Sequence, residues 1–270
     1  MRELLVRTAS GAVFAALIMA CVFVSPWTFA ILSLAIIAIG TFEMYRLSQI
    51  LANHHLALGE CLAIGAFVLS GLVALGIVPS RYLLLEIPIF MLPFLFALFS
   101  KSVSAKSVLS FLYPTLFFLS LPLSLMLFMY DESLFGPMAG ASLLFFVFVL
   151  LWMNDVFAYL VGTAIGKHKL FSRISPGKTI EGALGGLVFT VLSAVLIGRH
   201  VEWISIGQAM GMAAIAVIFG TLGDLCESML KRQAGVKDSG KLIPGHGGVL
   251  DRFDSVLFSA PFIFVYLMLL

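Results

Sequence analysis

About nine apolar stretches, separated by short polar or turn-forming segments, run through this 270-residue chain. A helix needs about 20 mainly apolar residues to cross the hydrocarbon core of a bilayer. The pattern therefore predicts an all-α fold, a polytopic integral membrane helix bundle of about nine transmembrane helices. The predicted apolar cores are Ser10 to Val24, Thr28 to Leu47, Leu58 to Val78, Tyr82 to Phe99, Val108 to Tyr130, Met138 to Ile165, Ile180 to Gly198, Ile204 to Cys226 and Phe253 to Leu270.

Composition agrees with a membrane location. Hydrophobic residues make up 61% of the chain and charged residues 11%, too few to cover a soluble domain of this length with polar surface. The formal net charge is only +2, from 16 Lys and Arg against 14 Asp and Glu, which argues against a nucleic acid as partner. The lipid bilayer is the partner that the composition predicts.

The positions of Lys and Arg predict the orientation in the membrane. These residues accumulate in cytoplasmic loops, and with a cytoplasmic N-terminus and nine spans only Arg81 and Arg199 of the 16 would lie outside. The protein is therefore expected in the inner (cytoplasmic) membrane, with its polar loops facing the cytoplasm.

The uneven distribution of polar residues divides the chain into two parts. Residues 1–150 carry few ionisable groups and are expected to form N-terminal transmembrane helices with a role in structure, dimerisation or lipid access. Residues 151–270 hold the unusual polar residues and are expected to form the catalytic transmembrane region, with two cytoplasmic polar loops.

The sixth predicted span contains an acid in an apolar environment. Asp155, Tyr159, Gly162 and Gly166 are spaced to share one helical face, next to Asn154. Ionisable residues inside a membrane are costly and usually functional, although a buried acid that only hydrogen bonds for packing is the alternative.

A basic loop precedes the seventh span. Its Ser175-Pro176-Gly177 segment cannot continue a helix, so Lys178 and Thr179 are predicted at the N-terminus of the next one, where unpaired backbone N–H groups favour anions. This indicates a phosphate site. A basic loop that only contacts lipid headgroups is the equally open alternative.

The end of the eighth span carries a polar stripe. Asp224, Glu227, Ser228 and Lys231 follow helical spacing, so two acids, a hydroxyl and a base share one face. Lipid contact does not explain such a stripe at the membrane interface.

A glycine-rich segment follows and leads into the last span. Gly245, Gly247 and Gly248 allow the backbone to approach a phosphate closely. Asp251 and Asp254 are three residues apart on the opening turn of the last helix, and together with Asp224 they are predicted to bind Mg²⁺, a hard ion that prefers carboxylate and phosphate oxygens. A simple turn, followed by acids that complement the helix dipole, is the alternative for each element alone.

The segment from Ser228 to Asp254 resembles the signature of the phosphatidate cytidylyltransferase family. The family pattern is Ser, any residue, an apolar residue, Lys-Arg, four residues, Lys-Asp, then His-Gly-Gly, an apolar residue, any residue, Asp-Arg, an apolar residue and Asp. The matching positions here are Ser228, Leu230, Lys231, Arg232, Lys237, Asp238, His246, Gly247, Gly248, Val249, Asp251, Arg252, Phe253 and Asp254. The stretches Asn154 to Lys167 and Ser175 to Gly182 are similar to further stretches of the same family. The specific resemblance therefore covers about the last 120 residues.

This resemblance implies an enzyme that joins CTP and phosphatidate, releasing pyrophosphate and giving CDP-diacylglycerol. It also implies a homodimer, and Mg²⁺ is the cofactor expected from the carboxylates, with a second cation left open. The expected catalytic residues are Asp224, Lys231, Arg232, Lys237, Asp238, His246, Asp251, Arg252 and Asp254, of which Asp224, Asp251 and Asp254 are the metal ligands. The expected substrate-binding residues are Asn154, Asp155, Ser175, Lys178, Thr179, Ser228, Gly245, Gly247 and Gly248.

Two other functions remain open at this point. An ion-coupled carrier would also place acids such as Asp155 and Asp224 inside the membrane, but it would require polar access from outside as well. The same transfer onto a different lipid phosphate is the closer alternative.

Overall fold

A computed structural model describes residues 2–48, 53–100, 104–240, 242 and 247–270, and in it the chain is a bundle of helices. The helices are α1 (Arg2–Val24), α2 (Pro26–Ser48), α3 (Asn53–Ala74), α4 (Glu86–Phe99), α5 (Ala105–Pro114), α6 (Leu121–Phe128), α7 (Glu132–Phe135), α8 (Ala141–Ile165), α9 (Ile180–Gly198), α10 (Ile206–Gln233) and α11 (Leu250–Met268). Short 3-10 turns occupy Ser80–Leu85 and Gly136–Met138, and a π-helical segment, Thr115–Ser120, joins α5 to α6.

Seven helical segments of the described residues are long and apolar enough to cross a membrane. They are Pro26–Ser48, His55–Ala74, Ser80–Phe99, Ala105–Phe128, Ala141–Ile165, Ile180–Gly198 and Ile206–Gln233. The apolar part of α1, Ser10–Val24, is shorter, and α11 opens with charged residues. The helical bundle is confirmed, and its long apolar helices are compatible with a membrane location, whereas the count of nine spans and the cytoplasmic N-terminus remain predictions.

Helix α10 carries the polar stripe that its spacing predicted. The helix continues to Gln233, beyond the apolar core that was predicted to end at Cys226, so that Asp224, Glu227, Ser228 and Lys231 lie on one helix. The apolar stretch ends earlier than the helix does, because Lys231 folds back onto acids of α10 and α11 and does not interrupt the helix.

The structure adds a small sheet to the predicted helices. Strands β1 (Lys169–Phe171) and β2 (Ser175–Thr179) pair antiparallel, with Lys169 opposite Thr179 and Phe171 opposite Ser175. Pro176 and Gly177 are poor helix formers, and the segment is extended for this reason. The first polar loop is therefore a hairpin and not an irregular loop.

The C-terminal helices pack closely together. Helix α9 contacts α8 and α10, and α11 packs along α10. Glycines permit the contact between α8 and α9, since a Cβ on Gly182 would lie 2.7 Å from the Ala158 carbonyl oxygen and 3.1 Å from the Cα of Gly162. Close backbone approach at small residues is typical of membrane helix pairs.

The N-terminal half forms the other side of the bundle. Helices α2, α3, α5 and α6 contact one another around a core of buried aliphatic and aromatic side chains, including Phe67, Phe111 and Leu119. Helix α11 also packs against α6, and α1 against α8. Helix α11 is thus held between the two halves of the chain.

Candidate active site

Two adjoining cavities meet at Asp155 and Asp224. Both residues line both cavities, so their side chains form the boundary between them. The larger cavity has a volume of about 520 Å³, and its wall includes Tyr159, Lys178 and Thr179. The smaller, of about 320 Å³, includes Asp251, Arg252 and Asp254 together with Phe14 and Trp152. Acids and bases from four separate helices or strands are therefore brought to one place.

Helix α8 contributes the predicted acidic face. Asp155, Tyr159 and Gly162 all line the larger cavity, as their helical spacing predicted, whereas Gly166 is the C-cap of α8 and does not line it. Asn154 also lines it, and its Oδ1 atom is buried and has no hydrogen-bond partner among the described residues. The charge of Asp155 interacts with those of Lys178, Asp224 and Arg252.

Strand β2 places Lys178 on Asp224. Lys178 Nζ lies 2.5 Å from Asp224 Oδ2, with the two side chains 29% and 34% exposed. Thr179 is the N-cap of α9, and its hydroxyl accepts a hydrogen bond from the Gly182 N–H at 3.1 Å. The prediction that Lys178 and Thr179 stand at the entrance of the seventh span is confirmed.

Glu181 fixes the start of the hairpin. Its carboxylate accepts the backbone N–H of Lys167 at 3.0 Å and contacts His168 Nδ1 at 2.6 Å. The His168 carbonyl in turn accepts the Ile180 N–H at 2.9 Å. These contacts tie the chain leaving α8 to the first turn of α9, and so hold Lys178 over the cavity.

The polar stripe on α10 points in two directions. Asp224 faces the cavities and accepts a hydrogen bond from the Ser228 hydroxyl at 3.1 Å. Glu227 is fully buried and forms an ion pair with Lys231. Lys231 also bonds Asp251, with Nζ 2.6 Å from Oδ1. The stripe therefore joins α10 to α11 as well as lining the site.

Asp251 accepts more hydrogen bonds than the other described aspartates of the site. Its Oδ1 faces Lys231, while Oδ2 accepts the backbone N–H of Ser239 at 2.9 Å, the Ser239 hydroxyl at 3.0 Å and the Gly248 N–H at 2.7 Å. Gly247 beside it has a φ of +84°, a conformation that favours glycine, and a Cβ there would lie 2.6 Å from Oδ2. Asp251 thus organises the segment that leads into α11.

Asp254 lies one helical turn further into α11. It is 8% exposed, lines the smaller cavity and accepts the Ser255 N–H at 2.6 Å. Its charge interacts with those of Asp224 and Asp155. Three carboxylates therefore share a confined space in which Lys178 and Arg252 are the nearby cations that line the cavities.

Several residues predicted for the site lie outside both cavities. Arg232 is exposed and donates to the Val236 carbonyl at 3.1 Å. Lys237 and Asp238 are also exposed, and Ser175 begins β2 opposite Phe171. Gly245 and His246 lie outside the described residues, so their predicted roles stay predictions.

Glu43 in α2 reaches the same region from the N-terminal half. It is 3% exposed, and its carboxylate accepts hydrogen bonds from the Ser239 hydroxyl at 2.9 Å, the Val249 N–H at 3.0 Å and the Leu250 N–H at 2.9 Å. Glu43 is not among the site residues predicted from the sequence. Its signal was an acid inside an apolar span, the same signal that drew attention to Asp155.

The family of this chain follows from its match to known proteins. A model of the cytidylyltransferase family matches residues 5–270.

The chain belongs to the cytidylyltransferase family.

Curated relatives of this cytidylyltransferase-family chain carry a more specific name. A phosphatidate cytidylyltransferase of Staphylococcus haemolyticus is 39% identical over 173 residues, which are 64% of this chain and 66% of that protein. A phosphatidate cytidylyltransferase of Staphylococcus aureus strain COL is 44% identical over 129 residues, which are 47% of this chain and 50% of that protein. The chain thus spans about half to just under two thirds of the length of these relatives.

The donor set of this cytidylyltransferase-family site suits a hard divalent cation, but it is not a preassembled cage. Among the described residues, no three His, Cys, Asp or Glu side chains come together as a group that holds a metal ion. Magnesium is usually held by one or two carboxylates together with substrate phosphates and water. Asp224 and Asp254 line the smaller cavity with oxygen ligands, and their negative charge is what a cation would neutralise.

Proposed function

We propose that this protein transfers a cytidylyl group from CTP to phosphatidate, giving CDP-diacylglycerol and pyrophosphate for phospholipid biosynthesis. The observation that carries the proposal is the pair of cavities that meet at Asp155 and Asp224. A transfer between two phosphate-bearing molecules needs two sites that share a boundary where the phosphates meet. The family match and the names of the relatives support cytidylyl transfer as the reaction.

The chemistry is a displacement at phosphorus. A phosphate oxygen of phosphatidate attacks the α-phosphorus of CTP, a new P–O bond forms, and the bond from the α-phosphorus to the bridging oxygen breaks as pyrophosphate leaves. Such transfers depend on positioning and on stabilisation of negative charge more than on covalent catalysis. The attacking phosphomonoester needs no general base, because its second pKa is about 6 and it is largely ionised at neutral pH.

Cationic side chains supply the positioning in this proposal. Lys178 lines the larger cavity and Arg252 the smaller one, so a phosphate bound in either cavity has a cation beside it. The N-terminus of α9, with Thr179 at its cap, adds a positive helix-dipole end beside Lys178. When a phosphate binds, Lys178 releases the Asp224 carboxylate and contacts the phosphate instead.

Magnesium is proposed as the cofactor. When bound, it would neutralise phosphate charge and polarise the α-phosphoryl group. Asp224 and Asp254 are the predicted ligands that need the least rearrangement. Lys231 forms ion pairs with both Asp251 Oδ1 and Glu227. Asp251 becomes a ligand only if Lys231 moves away from Asp251 Oδ1 and pairs with Glu227 alone.

The orientation inferred from the sequence completes the proposal. Nine spans with the N-terminus in the cytoplasm would place the hairpin and the segment before α11 on the cytoplasmic side of the inner membrane, where CTP is available. The distribution of Lys and Arg supports this orientation. A homodimer is proposed on the family resemblance alone, and the N-terminal helices are proposed to serve structure, dimerisation or lipid access.

Product formation tests the proposal. The purified protein in detergent is incubated with labelled CTP, phosphatidate and Mg²⁺, and the organic phase is examined for a lipid-soluble nucleotide. We expect a product that requires both substrates. No product with any divalent metal, from protein shown to be folded, would contradict the enzyme and favour a carrier.

A further inference from the structure

The N-terminus of α11 is capped by a residue from the other half of the chain. The first helical N–H groups of any helix lack partners within the helix, and Val249, the local N-cap residue of α11, makes no side-chain capping bond. Glu43 accepts the N–H groups of Val249 and Leu250 instead. Val249 is 4% exposed and Leu250 is fully buried, so water does not replace this acceptor.

The capping carboxylate is linked to the acid that organises the site. The Ser239 hydroxyl lies 2.9 Å from Glu43 Oε2 and 3.0 Å from Asp251 Oδ2. Ser239 itself is 4% exposed. Glu43, Ser239 and Asp251 therefore form one buried chain of polar groups that runs from α2 to α11.

Two glycines make room for Glu43. A Cβ on Gly240 or on Gly248 would overlap a carboxylate oxygen of Glu43. Gly248 belongs to the Gly245 to Gly248 stretch that was predicted to approach a phosphate, and Gly240 lies before that stretch in the chain. Glu43 therefore lies against both ends of the segment from Gly240 to Gly248, and it accepts hydrogen bonds from the start of α11.

We propose that Glu43 is a positioning residue for nucleotidyl transfer. It fixes the two ends of the Gly240 to Gly248 segment and, through Ser239, the orientation of the Asp251 carboxylate. The N-terminal helices thus contribute to the active-site geometry as well as to the membrane anchor. This inference rests on the proposed function for its kinetic consequence, whereas the capping contact is independent of it.

Hydrogen–deuterium exchange tests the contact without reference to activity. Glu43→Gln keeps the size of the side chain but removes the charge that three donors share. Peptides covering residues 247–252 are expected to exchange faster in Glu43→Gln than in the wild type, by tenfold or more in rate, since charge-assisted hydrogen bonds are roughly that strong. Unchanged exchange there would overturn the proposal.

Steady-state kinetics test the consequence for catalysis. For Glu43→Gln we expect kcat/KM for CTP to fall roughly tenfold to a hundredfold per folded molecule, with the KM for phosphatidate little changed. Ser239→Ala, which keeps the Glu43 charge, is expected to lose less, and the double variant is expected to lose less than the product of the two single losses. Glu86→Gln is the matched control, because Glu86 bonds Ser70 in the N-terminal half, away from this segment.

The outcomes separate this inference from the proposed reaction. If Glu43→Gln loses activity only in proportion to its folded fraction, with both KM values unchanged, Glu43 is merely structural and the proposal is overturned. If the wild type forms no lipid nucleotide, the proposed reaction fails, and the exchange measurement still decides whether Glu43 fixes the segment. Should Glu43→Gln fail to fold, Ser239→Ala supports the proposal by the same kinetic pattern and overturns it by wild-type kinetics.

Discussion

Lys231 of α10 and Asp251 of α11 form an ion pair in which Nζ lies 2.6 Å from Oδ1, and the two side chains are only 10% and 5% exposed. Glu227, fully buried one helical turn before Lys231, is the second partner of the same ammonium group. One lysine thus neutralises two buried acids and joins the two helices that carry the proposed metal ligands.

Replacement of this lysine is expected to destabilise the fold. Lys231→Met leaves Glu227 and Asp251 as buried acids without their cation, and breaking a buried pair in this way costs about 3–5 kcal/mol. We expect a lower thermal unfolding midpoint in detergent. Lys169→Met, at an exposed position on β1, is the control and is expected to unfold like the wild type. An unchanged midpoint for Lys231→Met would show that the ion pairs contribute no net stability.

Substitutions of the acids are expected to distinguish the proposed metal ligands from Asp251, which holds the segment before α11 in place. Asp224→Asn and Asp254→Asn each remove a proposed ligand charge, so both should raise the Mg²⁺ concentration needed for half-maximal activity. Asp251→Asn is expected to abolish turnover while leaving a folded protein, because it removes the charge that Lys231, Ser239 and Gly248 share. For the wild type, chelation of divalent ions should stop the reaction, and added Mg²⁺ should restore it. Asp251→Asn enzyme that is active and stable would refute its role.

Lys178 is expected to matter for substrate and not for folding. It is partly exposed at the cavity wall, where its ion pair with Asp224 contributes about 1 kcal/mol or less. Lys178→Gln should therefore unfold near the wild-type temperature but lose on the order of a hundredfold in kcat/KM, as a preorganised phosphate contact would. Lys169→Gln on the neighbouring strand is the matched control for the kinetic measurement. Equal activity of the two variants would exclude Lys178 from phosphate binding.

The contact between α8 and α9 is expected to tolerate no side chain at Gly182. Gly182→Ala puts a methyl group against the Ala158 carbonyl and Gly162, and overpacking of this kind costs about 1–3 kcal/mol. Gly65→Ala is the matched control, since a Cβ there meets nothing within 4 Å. Thermal unfolding in detergent should show a lower midpoint for Gly182→Ala only. Similar midpoints for the two variants would mean that the helices can separate without cost.

The sequence predicted those parts of the fold that depend on local pattern. Apolar length located the helices, and helical spacing placed Asp155, Tyr159 and Gly162 on one wall. The segment before α9 was predicted as a phosphate loop and proved to be a hairpin, because strand pairing between residues 169–171 and 175–179 depends on contacts that spacing does not reveal.

Long-range contacts account for what was missed. Glu43 is 206 residues from Val249 along the chain, and no local spacing indicates that the two meet. Its only local signal is a lone acid in the apolar α2, which is weaker than the dense clusters of acids in the C-terminal half. Likewise, the spacing of Asp251 and Asp254 placed both on the opening turn of the last helix, but it did not reveal that Ser239, Gly248 and Lys231 already bond to Asp251.

The fate of each phosphate of CTP tests the proposed reaction most directly. CTP labelled at the α-phosphorus or at the γ-phosphorus is incubated with the folded wild-type protein, phosphatidate and Mg²⁺, and Asp224→Asn is run in parallel. We expect the α-label in the lipid, the γ-label in pyrophosphate in equal molar amount, and little of either from Asp224→Asn. Appearance of the γ-label in the lipid, or release of pyrophosphate without labelled lipid, would contradict cytidylyl transfer at the boundary of the two cavities.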